Sequence, residues 1–137
     1  MKLTIKDRVL LLNEIMPQFD NMQGIIIKNA IMEKLKLSES ENDNIVTSRL
    51  PTGVMEIGFK TTESQSSSKS FEFTDEELFY IKNRIHMVDV NGMISSDNID
   101  TYQKILTLDF KTKEYKERWK EIVPSDNAEN DTASTIE

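Results

Sequence analysis

The residues whose spacing most suggests chemistry lie between Met87 and Asn98, MVDVNGMISSDN, with a helical pattern on either side. This is the layout of a calcium-binding helix–loop–helix. With Gly92 at the sixth loop position, Asp89 and Asn91 fall at the third and fifth and Ile94 at the eighth. Position one is then Met87 and position twelve Asn98, where the ion needs an aspartate and a bidentate glutamate. Two oxygen ligands are lacking, so the stretch reads as a helix-ending Asn-Gly turn and no metal is expected. His86 is the only histidine, and Lys82 and Val90 stand four residues to either side. Neither offers the carboxylate or second ligand that catalysis or metal binding would require. It reads as a boundary or surface residue. Asp75, Glu76 and Glu77 occupy a first helical turn, where carboxylates are favoured by the helix dipole. With 24 acidic residues, chance pairs abound, and no spacing singles out a catalytic one. Ser64, Ser66, Ser67 and Ser68 lack the context of an activating base, and none of the four glycines builds a phosphate-cradling loop. The expectation is no catalytic residue, no cofactor and no metal.

Composition sets wider bounds. At 137 residues the chain suffices for one core and not comfortably for two. Hydrophobic content of 37% and charged content of 30% describe a soluble domain with polar loops or a tail. No run reaches the roughly 18 apolar residues of a membrane helix. The N-terminal apolar patch is interrupted by Asp7, Arg8 and Glu14, and no small-residue cleavage site follows, so a signal peptide is not expected. The absence of cysteine removes disulfides, thiolate metal sites and thiol nucleophiles, and suits a reducing cytoplasm. The net charge is −7, and residues 124–137 hold Asp126, Glu129, Asp131 and Glu137 with no lysine or arginine; subtracting these four leaves residues 1–123 at −3. No clustered positive charge marks a nucleic-acid surface.

The elements that would position any site follow from periodicity. Thr4 and Asp7 form a capping box for a helix over about 5–16, striped by Ile5, Val9, Leu12 and Met16 and closed by Pro17. Asp20 or Asn21 caps a second helix with Ile27, Ile31 and Leu35 as its main stripe and Ile26 and Ala30 beside it, set against the first helix. The β-branched run Ile25–Ile27 would also suit a strand, but the periodicity through Leu35 favours helix. A Ser38–Glu41 box opens a short helical turn. Residues 45–50, Pro51-Thr52-Gly53 and 54–60 read as strand, turn, strand, with Met55, Ile57 and Phe59 on a buried face. Residues 61–69 read as a polar loop, and Phe71 and Phe73 as a short third strand. Thr74 and Glu77 cap a helix striped by Leu78, Ile81, Ile85 and Val88, with Phe73 and Leu78 as its hydrophobic staple. After Asn91-Gly92, Ser95 caps another helix carrying Ile99, Tyr102 and Leu106. Residues 111–123 form a last helix with a narrow apolar face of Tyr115, Trp119 and Ile122 or Val123, which either docks on the body or awaits a partner.

Three stretches, LTIKDRVLLLNEIMP, FTDEELFYIKNRI and NGMISSDNIDTYQKIL, together resemble a family of small uncharacterised phage and prophage proteins. That family opens with a Leu-Thr-Ile-Lys-Asp/Glu-Arg helix ending in proline and closes with a helix pair joined by an Asp/Asn-Gly turn; its nearest flavour is that of Bacteroides-like gut phage members. The resemblance covers about residues 3–106 and implies a phage setting, with no catalytic residues to carry across. Residues after 110 fall outside it.

The sequence thus predicts an α+β fold: two N-terminal helices, a small antiparallel sheet of two or three strands, a helical hairpin packed over it and a further helix. Residues 1–110 form the compact domain, 111–123 an amphipathic helix and 124–137 an acidic, disordered tail. The expected function is protein–protein contact by a phage-encoded accessory protein, in virion assembly or on a host factor, in the host cytoplasm or the virion. Tyr115, Trp119 and Ile122 are the candidate partner contacts, and a homo-oligomer is open; no nucleic-acid or membrane partner is expected. The alternative is a small enzyme or nucleotide-binding protein with a carboxylate-lined pocket.

Overall fold

Thr4 decides where the first helix begins. Its hydroxyl accepts the Asp7 N–H at 3.1 Å, and the Asp7 carboxylate accepts the Thr4 N–H at 2.9 Å. These contacts come from a computed structural model of the full chain, which describes residues 1–53 and 55–123. The expectation for residues 124–137 lies outside them. From this capping box α1 (Ile5–Leu10) runs into a π-helical segment, Leu11–Ile15, closed by the Met16 N–H on the Leu11 carbonyl ahead of Pro17. The expected span of 5–16 is met to within a residue. Before it, Lys2–Thr4 forms a strand, β1, that the sequence pattern did not announce.

Asn21 caps α2 (Met22–Leu35) through its side chain and the Gly24 N–H, 2.8 Å apart. Only part of the expected stripe is covered: Ile31 and Leu35 are fully buried and Ile27 half-buried, while Ile26 and Ala30 face outward. The partner is also different, because α2 packs chiefly on α5 (Asp75–Val90) rather than on α1. The reading of Ile25–Ile27 as helix holds. A Ser38 capping box starts α3 (Glu39–Asp43) as expected.

Strands β2 (Ile45–Arg49) and β3 (Met55–Phe59) pair antiparallel around the turn, Gly53 sitting at φ 88° with its N–H on the Leu50 carbonyl. The hairpin is less buried than its alternation promised. Ile57 and Phe59 are only half-buried, and β2 is exposed beyond Ile45. The polar stretch that followed is not plain loop. It contains a short helix, α4 (Thr62–Ser66), and a strand, β4 (Ser68–Ser70), which pairs antiparallel with β1. Phe71 and Phe73 are not in a strand. Phe71 lies under the Arg8 guanidinium, 5.1 Å from its carbon, and buried Phe73 is the staple residue before α5. The β1–β4 pair escaped the sequence reading because backbone bonds hold it, and serine and lysine side chains there carry no apolar period. The architecture is α+β, and the described residues form two separate two-stranded sheets in place of one.

Helix α5 is central, touching α2, the π segment, α6 (Ile99–Leu106) and α7 (Lys113–Ile122). Its Thr74–Glu77 box and the Leu78, Ile81, Ile85 stripe form as the sequence implies. It ends in a Schellman motif: Met93 N–H reaches the Val88 carbonyl, Gly92 N–H reaches that of Asp89, and Gly92 has φ 71°. The hairpin of α5 and α6 therefore packs mainly on helices rather than over the sheet. Ile15, Ile31, Leu35, Ile81, Ile85 and Ile105 meet in the core, each fully buried and contributing about 1.5–3 kcal/mol.

Candidate functional site

The C-terminal helix carries the residues that sequence singled out for partner contact, and it docks on its own domain. Asp75, at the start of α5, accepts the Lys111 N–H at 2.8 Å, the Thr112 N–H at 2.9 Å and the Thr112 hydroxyl at 2.7 Å. These bonds, the Lys111 N–H first, hold its carboxyl below the usual range and fix the entry to α7. Phe79 then receives the helix, with its ring 5.7 Å from Tyr115, 6.1 Å from Trp119 and 6.0 Å from Phe110. Arg118 lies over Phe79 and Tyr115, at 4.6 and 4.7 Å. Tyr115, Trp119 and Ile122 are all half-buried. Docking on the body, one of the two readings of this helix, is what the structure shows.

Lys82 completes that corner. Its ammonium is buried, sits 4.8 Å from the Phe110 ring centre and 5.5 Å from that of Trp119, and donates to the carbonyls of Leu106 (3.2 Å) and Leu108. Burial pushes its pKa down, against the opposing field of Asp109. The lysine thus caps the C-terminal end of α6. His86 meets Trp119 edge-on at 6.3 Å and is half-buried, a boundary residue as read.

Two other sequence candidates, Glu77 and Asn98, are engaged in folding. Glu77 accepts Lys34 at 2.5 Å and the Thr74 N–H at 2.9 Å. Asn98, the would-be twelfth loop position, accepts the Ser95 N–H at 2.7 Å and donates to Glu14. Among the described residues no three His, Cys, Asp or Glu side chains are grouped to hold a metal ion, and no helix is long and apolar enough to cross a membrane.

Sequence reasoning missed the long-range polar pairs. Arg8 is buried and donates to the Leu35 and Lys36 carbonyls at 3.0 and 2.6 Å, and to both oxygens of Glu41 at 2.5 and 3.3 Å. Burial alone would raise the Glu41 carboxyl, but bonds from Arg8 and Ser38 outweigh it and hold the pKa at about 2. Asp7 likewise accepts Thr101 and Lys104, each at 2.5 Å; those bonds and that from Thr4 overcome burial and lower its pKa. Glu14 accepts the Tyr102 hydroxyl at 2.5 Å, and burial, then this bond, push the phenol's pKa up. No local spacing could have announced partners so far apart in the chain; the capping roles of Asp7 and Glu41 were the only visible half.

Among the surface grooves, two lie beside β2 and α3. One, of about 390 Å³, lies between Val9, Leu12, Met32, Leu37, Ile45 and Thr47. The other, of about 330 Å³, is lined by Ser38, Glu41, Asn44, Glu63, Ser67 and Lys69 among others. Neither takes in His86 or a tyrosine. Outward apolar side chains lie elsewhere, at Val90 (70% exposed) and Met93 (67%) by the end of α5 and at the start of α2. Phe19, just before α2, is 82% exposed, and Met22 and Ile26, a turn apart within it, are 83% and 60% exposed. Exposed Asn29, Ala30 and Glu33 share the face of Met22 and Ile26, opposite Ile31 and Leu35. α2 is covered on the Ile31 and Leu35 side and open on this one.

No protein-family model, curated protein or solved structure matches the chain significantly.

Proposed function

We propose that this protein works by protein contact, as a phage-encoded accessory protein whose α2 face, Phe19, Met22 and Ile26, meets a virion component or a host factor. The observation that carries the reading is the exposure of these three large apolar side chains within eight residues at the start of α2. The core supplies a rigid platform for it, since α2 is anchored at its C-terminal end by Arg8 and by Lys34 on Glu77. Large apolar and aromatic anchors of this kind dominate contact energies when a partner desolvates them. The phage setting rests on the resemblance of residues 3–106 described above.

Affinity capture from infected or lysogenic cells tests the contact. Wild-type protein is expected to retain a stoichiometric partner that a Met22→Glu/Ile26→Glu variant loses; equal recovery by both would remove α2 from the account. Protein quantification in purified particles separates the two settings. Stoichiometric presence in virions would eliminate the host-factor version, and absence would eliminate the structural one.

A further inference from the structure

The hairpin of β2 and β3 is a two-stranded sheet whose outer edges pair with no other strand among the described residues. Its register fixes which backbone groups those edges present. The Lys60 N–H bonds to the Asn44 carbonyl at 2.9 Å, so hydrogen-bonded pairing alternates through Val46↔Gly58 and Ser48↔Glu56. The N–H and C=O groups of Ile45, Thr47 and Arg49 therefore point away from β3. Ile45 and Thr47 also form one wall of the 390 Å³ groove, across from Val9, Leu12 and Met32. An isolated two-stranded hairpin is marginal in water, and this one has β2 exposed from Val46 to Arg49. Such a strand gains most from a third neighbour.

We infer that a second copy of this chain supplies that neighbour, β2 pairing antiparallel with β2 across a two-fold axis at Thr47 to make a four-stranded sheet. The edge is self-complementary in that direction. Thr47 meets its own counterpart, Ile45 meets Arg49 of the other copy, and all three outward residues exchange bonds in both directions. Charge selects the same arrangement. Asp43 stands just before the strand and Arg49 closes it, so antiparallel self-pairing brings each copy's acidic end to the other's basic end. The Arg49 guanidinium lies on the surface and donates to the Gly53 carbonyl at 3.1 Å, and a guanidinium has five N–H donors in all. This contact is independent of the α2 face.

Sedimentation of the full chain across a concentration series tests the inference. The wild type is expected to shift from one chain toward two as concentration rises. Thr47→Pro removes an N–H that faces away from β3 and should leave the fold intact while abolishing the shift. Arg49→Glu sets like charges against each other and should also give a monomer, and Asp43→Arg/Arg49→Glu should restore the dimer. A wild type that stays monomeric to about 1 mM overturns the proposal. So does a dimer that survives Thr47→Pro but is lost with Met22→Glu/Ile26→Glu, because self-association would then run through α2. Failure of the double charge swap to restore what Arg49→Glu removed would overturn the antiparallel register.

Discussion

Arg8 shows how much of this molecule rests on single side chains. Its fork ties the C-terminal carbonyls of α2 to the capping glutamate of α3, away from water. Removing it leaves Glu41 and two carbonyls without their partner, so Arg8→Ala should cost about 3–5 kcal/mol in denaturant unfolding. Arg8→Lys should recover only part, because an ammonium cannot reproduce the fork. Glu41 gives the matching pH dependence. Its folded pKa of about 2 lies below the ordinary 4.5, so its contribution is fully present above pH 4.5 and is lost as pH falls toward 2. Asp7, also lowered, acts in the same sense. Stability measured over that window should fall, and Glu41→Gln should flatten the fall; a wild-type profile unchanged from pH 5 to 2 would contradict the pairing. None of this was legible in the sequence beyond the two capping boxes, because Arg8 and Glu41 lie 33 positions apart.

The elements were far more legible than their partners. Thr4, Ser38 and Thr74 each announced a helix start, Pro17 an end and Asn91-Gly92 a reversal, because capping and positive φ are local chemistry. The β1–β4 pair and the true neighbour of α2 depend on contacts between distant segments, and periodicity is silent about those. The same distinction explains α7. Its narrow face fitted two outcomes, and only the position of Phe79 against Tyr115 and Trp119 chose between them. Trp119→Ala should therefore cost about 2–3 kcal/mol, less than a fully buried tryptophan. Hydrogen exchange should show α7 amides losing protection while those of α5 keep theirs. Gly92→Ala, forcing a Cβ into φ 71°, should cost about 1 kcal/mol by thermal unfolding.

At the scale of the whole molecule, buried charges and capping residues look inward, and exposed apolar side chains stand at the start of α2 and around the end of α5. That division is why sequence reading found motif-like clusters at Asp75–Glu77 and Met87–Asn98 that prove to hold the fold together, while the candidate surface is made of residues with no motif at all. Phe19, Met22 and Ile26 were legible only as helix-forming or apolar; which side of α2 faces outward depends on where α5 lies. Replacing Met22 and Ile26 by glutamate should change stability by no more than about 0.5 kcal/mol, as expected of exposed positions. The most direct test of a contact function places a photo-activated crosslinking residue at position 26, with position 120 on the exposed side of α7 as control, in infected or lysogenic cells. A discrete heterologous adduct from position 26, absent from position 120, is the expected result. Adducts from position 120 alone, or none from position 26 at any stage of infection, would contradict the assignment of α2 as the working surface.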